Sequence, residues 1–218
     1  MNGQLRNTRV MAAALAALAL AACSKDSTGP SITDPGNGTA VVMKGTLAGS
    51  TLSGDIDVTI SAAASPTIAG CVYLKSATCV VVTGNYTVAT KAMSFGSTSP
   101  ALSFSGTYSG GVVSGTFTGS GGGHFAVING TVTTFCGTFA GAASGRWNFS
   151  ANGGALNGQY NDGTGSYDMT GSLSGSSLSL SFSAGTATGT LSGASATGTW
   201  SAGGGSGTWT GATTGCRS

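Results

Sequence analysis

A glycine, one polar residue and then a large ring recur along the chain: Gly84-Asn85-Tyr86, Gly106-Thr107-Tyr108, Gly115-Thr116-Phe117, Gly137-Thr138-Phe139, Gly145-Arg146-Trp147, Gly158-Gln159-Tyr160, Gly165-Ser166-Tyr167, Gly198-Thr199-Trp200 and Gly207-Thr208-Trp209. Gly54-Asp55-Ile56 and Gly189-Thr190-Leu191 are aliphatic forms of it. Residues two apart share one face of a strand. The glycine and the ring therefore point one way and the polar residue between them the other. Longer stretches keep the same period: Leu102, Phe104, Gly106 and Tyr108 alternate with Ser103, Ser105 and Thr107, and Leu178, Leu180 and Phe182 alternate with Ser179, Ser181 and Ser183. Clean alternation belongs to half-buried antiparallel strands. Glycine-rich breaks such as Ser109-Gly110-Gly111, Asn152-Gly153-Gly154 and Gly203-Gly204-Gly205 separate the runs and read as hairpins. The pattern predicts an all-β chain, an antiparallel meander of about a dozen short strands closed or rolled like a barrel. A β-sandwich and a β-solenoid are the alternatives. The solenoid is suggested by even spacing at Gly189, Gly198 and Gly207, which fails elsewhere.

Composition narrows the chemistry. The 218 residues include 39 Gly, 31 Ser and 31 Thr, but only eight Lys or Arg and six acids, all Asp, with one histidine, His124. A nucleic-acid partner needs a basic stripe, and there is none. Acid–base catalysis is poorly supplied, so the chain reads as non-enzymatic, with no catalytic residue, cofactor or metal site assigned.

The first residues carry an address. Arg6 and Arg9 precede an uncharged apolar run from Val10 to Ala22, too short for a membrane span and right for the core of a signal peptide. The run ends in Leu20-Ala21-Ala22-Cys23. This resembles the lipobox of bacterial lipoproteins. The resemblance implies a signal peptide over 1–22, lipidation of Cys23 as the mature N-terminus, and a membrane partner held through that lipid. Ser24, where an Asp tends to retain lipoproteins in the inner membrane, implies outer-membrane delivery. Residues 23–38 read as the lipidated N-terminus and a flexible tether. Residues 39–218 read as one Gly/Ser/Thr-rich antiparallel β domain. A boundary inside it is suggested only at Gly96-Ser97-Thr98-Ser99-Pro100.

Beyond Cys23 the cysteines are Cys71, Cys79, Cys136 and Cys216. An even number in an exported, charge-poor chain reads as two disulfides. Cys71–Cys79 brackets a short loop. Strand parity puts Cys136 and Cys216 both on the outward side, favouring Cys136–Cys216. A zinc site is disfavoured by the lack of Cys-x-x-Cys spacing.

Few side chains suggest a site. Asp55 and Asp57 share an outward face and are expected to be solvated. Asp162 before Gly163 reads as a turn residue, Asp168 as outward-facing, and His124 as a surface residue at a strand start. Tyr108, Phe117, Phe139, Trp147, Trp200 and Trp209 are expected to be buried, as core or as the lining of a ligand cavity, with the Ser/Thr face in solvent. Three functions follow: an exported, membrane-anchored lipoprotein with a binding or structural barrel; a carrier of a small apolar ligand at an aromatic-lined barrel mouth; and an outer-membrane pore, which needs the rings to face lipid.

Overall fold

The structure, a computed structural model, describes residues 33–119 and 121–217; the lipobox and Cys23 lie outside them. Among the described residues there are sixteen strands rather than about a dozen, and they form two consecutive closed barrels of eight. The first contains β1 (Val41–Gly49), β2 (Ser53–Ile60), β3 (Thr67–Tyr73), β4 (Val80–Thr87), β5 (Ala92–Thr98), β6 (Ala101–Ser109), β7 (Val112–Thr118) and β8 (Gly123–Asn129). The second contains β9 (Thr133–Gly141), β10 (Gly145–Asn152), β11 (Ala155–Asn161), β12 (Ser166–Ser174), β13 (Ser177–Phe182), β14 (Gly185–Ser192), β15 (Ser195–Ala202) and β16 (Gly205–Ala212), followed by a short 3-10 turn, Thr213–Cys216. Each strand pairs antiparallel with the next. β1 closes on β8 (Gly45 opposite Val127) and β16 closes on β9 (Trp209 opposite Phe139). Closure removes the exposed sheet edge that an open meander would leave, and it excludes the sandwich and the solenoid.

The one segment suggested as a boundary, residues 96–100, is the β5–β6 hairpin, which contains a cis Ser99-Pro100 bond. The break between barrels falls at residues 130–132. Its sequence mark is subtle: Val132 is the last Val or Ile in the chain. That change of composition has a structural consequence. The inward positions of the first barrel are Ile56, Val58, Ile60, Ile68, Val72, Val82, Val113 and Val127, with Phe95, Phe104, Phe117 and Phe125 stacked among them. An eight-stranded barrel is just wide enough for such side chains to fill. In the second barrel many inward positions are Gly or Ala instead, including Gly158, Gly171, Ala187, Gly189, Ala196 and Gly198. Indoles stand against several inward glycines of this barrel: Trp209 against Gly189 and Gly198, Trp147 against Gly211, and Trp200 against Gly207.

Glycine and ring are sterically linked. A Cβ on Gly189 or Gly198 would collide with the Trp209 ring, and one on Gly211 would collide with Trp147. The hairpins use glycine differently. Gly153-Gly154 and Gly203-Gly204 have φ of 55° and 97°, and 56° and 86°. Two positive-φ residues in sequence make the turn that suits strand twist.

The barrels pack side by side through β1, β2 and β8 against β10, β11 and β12. Outward positions there are not solvated, which corrects the expectation for the polar face. Thr46, Asn148, Ser150 and Gln159 are each at most 1% exposed. The Thr46 hydroxyl donates to Asn148 Oδ1 at 2.8 Å and Asn148 Nδ2 donates to the Leu47 carbonyl at 2.6 Å. The Gln159 backbone N–H donates to the same Asn148 Oδ1 at 3.2 Å. Away from this seam the Ser and Thr face is exposed, as in β13, where Ser177, Ser179 and Ser181 alternate with inward Leu178 and Leu180.

Residues 33–38, expected as the end of a tether, are strapped to one end of the first barrel. Tyr108 donates to Asp34 Oδ1 at 2.9 Å, Asn129 Nδ2 donates to the Thr33 carbonyl at 2.8 Å, and Pro35 is buried. Burial and the Asp34 hydrogen bond push the Tyr108 phenol up to about 12. The unfolded phenol loses its proton near pH 10 and the folded one does not. This stabilisation is therefore whole below about pH 10 and is lost as pH rises from about 10 to 12. Urea unfolding at about pH 9 and pH 11 is expected to show a stability drop that is smaller in Tyr108→Phe.

The ring-over-glycine packing gives a second expectation. Gly198→Ala should destabilise the domain by about 1–3 kcal/mol through overpacking against Trp209. Thr188→Ala on the exposed face should change stability by about 0.5 kcal/mol or less. Denaturant midpoints of the two variants make the comparison.

Candidate functional site

The loops β9–β10, β11–β12, β13–β14 and β15–β16 surround one end of the second barrel. A cavity of about 490 Å³ opens there. Its depth is set by Trp147, Met169, Leu180, Ala187 and Trp209, all buried. Its walls nearer solvent are Phe139, Tyr160, Phe182 and Trp200, all partly buried. Its rim is Ala142, Ala143, Ala184 and Ala202 to Gly205. Small residues at the rim leave no side chain long enough to cover the opening.

The rings hold one another in place. Trp147 meets Trp209 edge to face at 5.1 Å and stacks on Phe149 at 5.0 Å. Phe139 meets Trp200 edge to face at 5.9 Å and Tyr160 at 6.2 Å. Each indole N–H is already used. Trp147 donates to the Thr138 carbonyl at 3.1 Å, Trp200 to Ala140 at 3.2 Å and Trp209 to Thr199 at 3.2 Å. These bonds fix the ring planes and leave carbon surface turned toward the cavity. Sites of this size with mostly apolar walls and few polar groups are what small ligands occupy.

Two polar groups stand at the wall and rim. Asp162 lies in the β11–β12 turn. Its Oδ1 accepts from the Thr164 amide at 2.9 Å, the Thr164 hydroxyl at 2.7 Å and the Gly165 amide at 3.1 Å. Partial burial opposes its charge, but those hydrogen bonds outweigh it and hold the carboxyl below its ordinary range. The turn role expected of Asp162 is thus present, and the turn also places it at the cavity. The Tyr160 phenol is raised, by burial first and then by the neighbouring Asp162 charge.

The six rings singled out in the sequence separate into two groups. Tyr108 and Phe117, each 2% exposed, belong to the filled core of the first barrel, far from any opening in the second. Trp147 and Trp209 are buried at the bottom of the cavity, and Phe139 and Trp200 are only partly buried at its mouth. The exposure of these last two follows from their place beside the Ala/Gly rim. Tyr160, Phe182 and Met169 complete the lining and were not singled out. Their inward parity was readable in Gly158-Gln159-Tyr160 and in the Leu178-Leu180-Phe182 run.

The remaining candidates are structural. Cys71–Cys79 and Cys136–Cys216 are both disulfides. Asp55, expected in solvent, is 4% exposed, because β2 faces the second barrel. Its Oδ2 accepts from Arg217 Nε at 2.8 Å, and the Arg217 guanidinium lies 3.9 Å from the Tyr73 ring centroid. Asp55 also adjoins the Cys136 and Cys216 sulfurs, which are bonded to each other and so offer no thiolate to a metal. Asp57 pairs with Lys44 at 2.9 Å. His124, at the start of β8, meets Asp168 of the second barrel at 3.2 Å.

The cavity rings are expected to differ in what they do. Trp209→Ala should cost about 3–5 kcal/mol, the range for a large buried ring. Trp200→Ala should cost distinctly less, because its ring is partly in water already. Equilibrium unfolding of both variants checks the order.

No protein-family profile, curated protein or solved structure matches the chain.

Proposed function

We propose that the chain is an exported lipoprotein, anchored through Cys23, whose second barrel binds a small apolar molecule at its mouth without catalysing a reaction. The observation that carries the binding reading is the cavity of about 490 Å³ walled by Phe139, Tyr160, Phe182 and Trp200, open between small rim residues. The first barrel, with the same number of strands, is filled by its own side chains. A cavity at one end of the second barrel, ringed by fixed aromatic surface, meets the usual criteria of shape and lining for a ligand site. Export is supported by the two disulfides, which persist in oxidising compartments. The non-enzymatic reading rests on the lining, where Asp162 and Tyr160 are the only titratable side chains.

The strap at Thr33–Asp34 meets the end of the first barrel marked by Tyr108 and Asn129. Asn152, at the β10–β11 hairpin, donates to the Asn129 carbonyl at 3.2 Å. Arg146, at the mouth end of β10, donates instead to the Thr51 carbonyl at 3.1 Å, in the β1–β2 loop at the other end of the first barrel. The mouth thus opens at the end of the barrel pair opposite the strap. The pore reading has less support. The rings point inward and the hydroxyl face outward, the reverse of a lipid-facing apolar band.

A neutral fluorescent apolar probe, N-phenyl-1-naphthylamine, tests the site. All three tryptophans line the cavity, so tryptophan emission should transfer to the bound probe saturably. Trp200→Ala should weaken binding about ten-fold, a loss of about 1.4 kcal/mol. Phe117→Leu in the first barrel should leave it unchanged. Absence of saturable transfer, or equal loss in both variants, would overturn the binding reading. For the anchor, Cys23→Ser should leave the protein unattached to membranes or unprocessed; normal cleavage with membrane fractionation would contradict it.

A further inference from the structure

Resting on that reading of the mouth, the geometry points to an organic cation as the ligand: an apolar or flat body carrying a protonated or quaternary amine, seated with its charge between the Asp162 carboxylate and the faces of Tyr160, Phe139 and Trp200. The lining itself makes the choice. Asp162 is its one charged residue, and no Lys or Arg contributes to it. Arg146 adjoins Trp147 in sequence, yet its guanidinium is turned to the Thr51 carbonyl in the first barrel. A fatty acid or any other anion would meet a carboxylate at the rim with no cation to receive it. A neutral ligand rich in acceptors would meet no free indole donor, since all three N–H groups are bound to strand carbonyls.

A cation finds the opposite conditions. Ring faces carry negative charge density, and an ammonium within about 6 Å of a ring centroid is attracted to it. Phe139 joins Tyr160 and Trp200 into one wall, with centroid separations of 6.2 Å and 5.9 Å to its two neighbours. The Asp162 carboxylate is held rigidly by three hydrogen bonds to Oδ1, and the turn stays formed without further use of Oδ2. Asp162 and Tyr160 line the same cavity, and the Tyr160 phenol is raised by burial first and by the Asp162 charge second. Partial withdrawal from water strengthens a carboxylate–ammonium attraction relative to an exposed pair.

The test uses a matched pair of probes, benzyltrimethylammonium and its neutral isostere neopentylbenzene, followed by tryptophan fluorescence on the disulfide-bonded domain. The variant is Asp162→Asn, which keeps an Oδ1 acceptor for the Thr164 and Gly165 donors and so keeps the turn. Both probes are expected to bind the parent domain. Asp162→Asn is expected to weaken the ammonium about five- to ten-fold while leaving neopentylbenzene unchanged. Added salt should weaken only the ammonium. Phenylpropanoate, an anion of similar size, is expected not to bind. Binding of neopentylbenzene without the ammonium would overturn the cation inference and leave the cavity reading standing. So would an equal effect of Asp162→Asn on both probes, or none on either. Failure of both probes to bind would remove the ligand site and this inference with it.

Discussion

An eight-stranded barrel has a fixed width, and what its inward positions carry decides whether it is solid or hollow. This chain contains the same frame twice. In the first copy Val, Ile and Phe fill the interior. In the second, Val and Ile are gone after Val132, and Gly and Ala stand where they would be. Indoles laid over those glycines recover part of the lost packing. Trp209 lies where Cβ atoms of Gly189 and Gly198 would be, and Trp147 where that of Gly211 would be. The recovery stops short of the mouth, where the rim is Ala and Gly, and the cavity is the remainder.

The two barrels hold each other through polar groups rather than a shared apolar core. Asn148 is the centre of that seam, accepting from Thr46 and from the Gln159 backbone N–H while donating to Leu47. Thr46, Asn148 and Gln159 are buried and bonded to one another, so a displacement of one barrel against the other would leave several of their polar atoms unpartnered at once. Arg217 and Asp55 add a charged contact near the chain's end, beside the Cys136–Cys216 bridge that ties the last turn to β9. The seam keeps the hollow barrel's mouth at the end away from the strap.

Strand chemistry was legible because it is local. Phe104-Ser105-Gly106-Thr107-Tyr108 states its own parity, and the inward facing of its rings follows from it. Both disulfide pairings were also readable, one from loop length and one from parity. The strand count fell short partly because β1 shows no clean alternation: Val41 to Gly49 is buried at most positions on both faces, one in the barrel and one in the seam. Closure of β1 on β8 depends on register across about eighty residues, which no local pattern encodes. Asn148, Gln159 and Asp55 sit at outward positions like any solvated polar residue, and only the partner barrel distinguishes them. The mouth was half legible. Its rings stood out, but their difference from Tyr108 and Phe117 lies in the neighbours, in the Ala and Gly of the rim.

The account turns on Trp200 standing in an open mouth while Trp147 and Trp209 lie beneath it. Fluorine NMR of the domain carrying 5-fluorotryptophan gives one resonance per indole. A soluble nitroxide is expected to broaden the Trp200 line strongly and the Trp147 and Trp209 lines little, and a ligand in the cavity should restore the Trp200 line. Equal broadening of all three lines, or none of any, would contradict a hollow barrel with a ring-walled mouth.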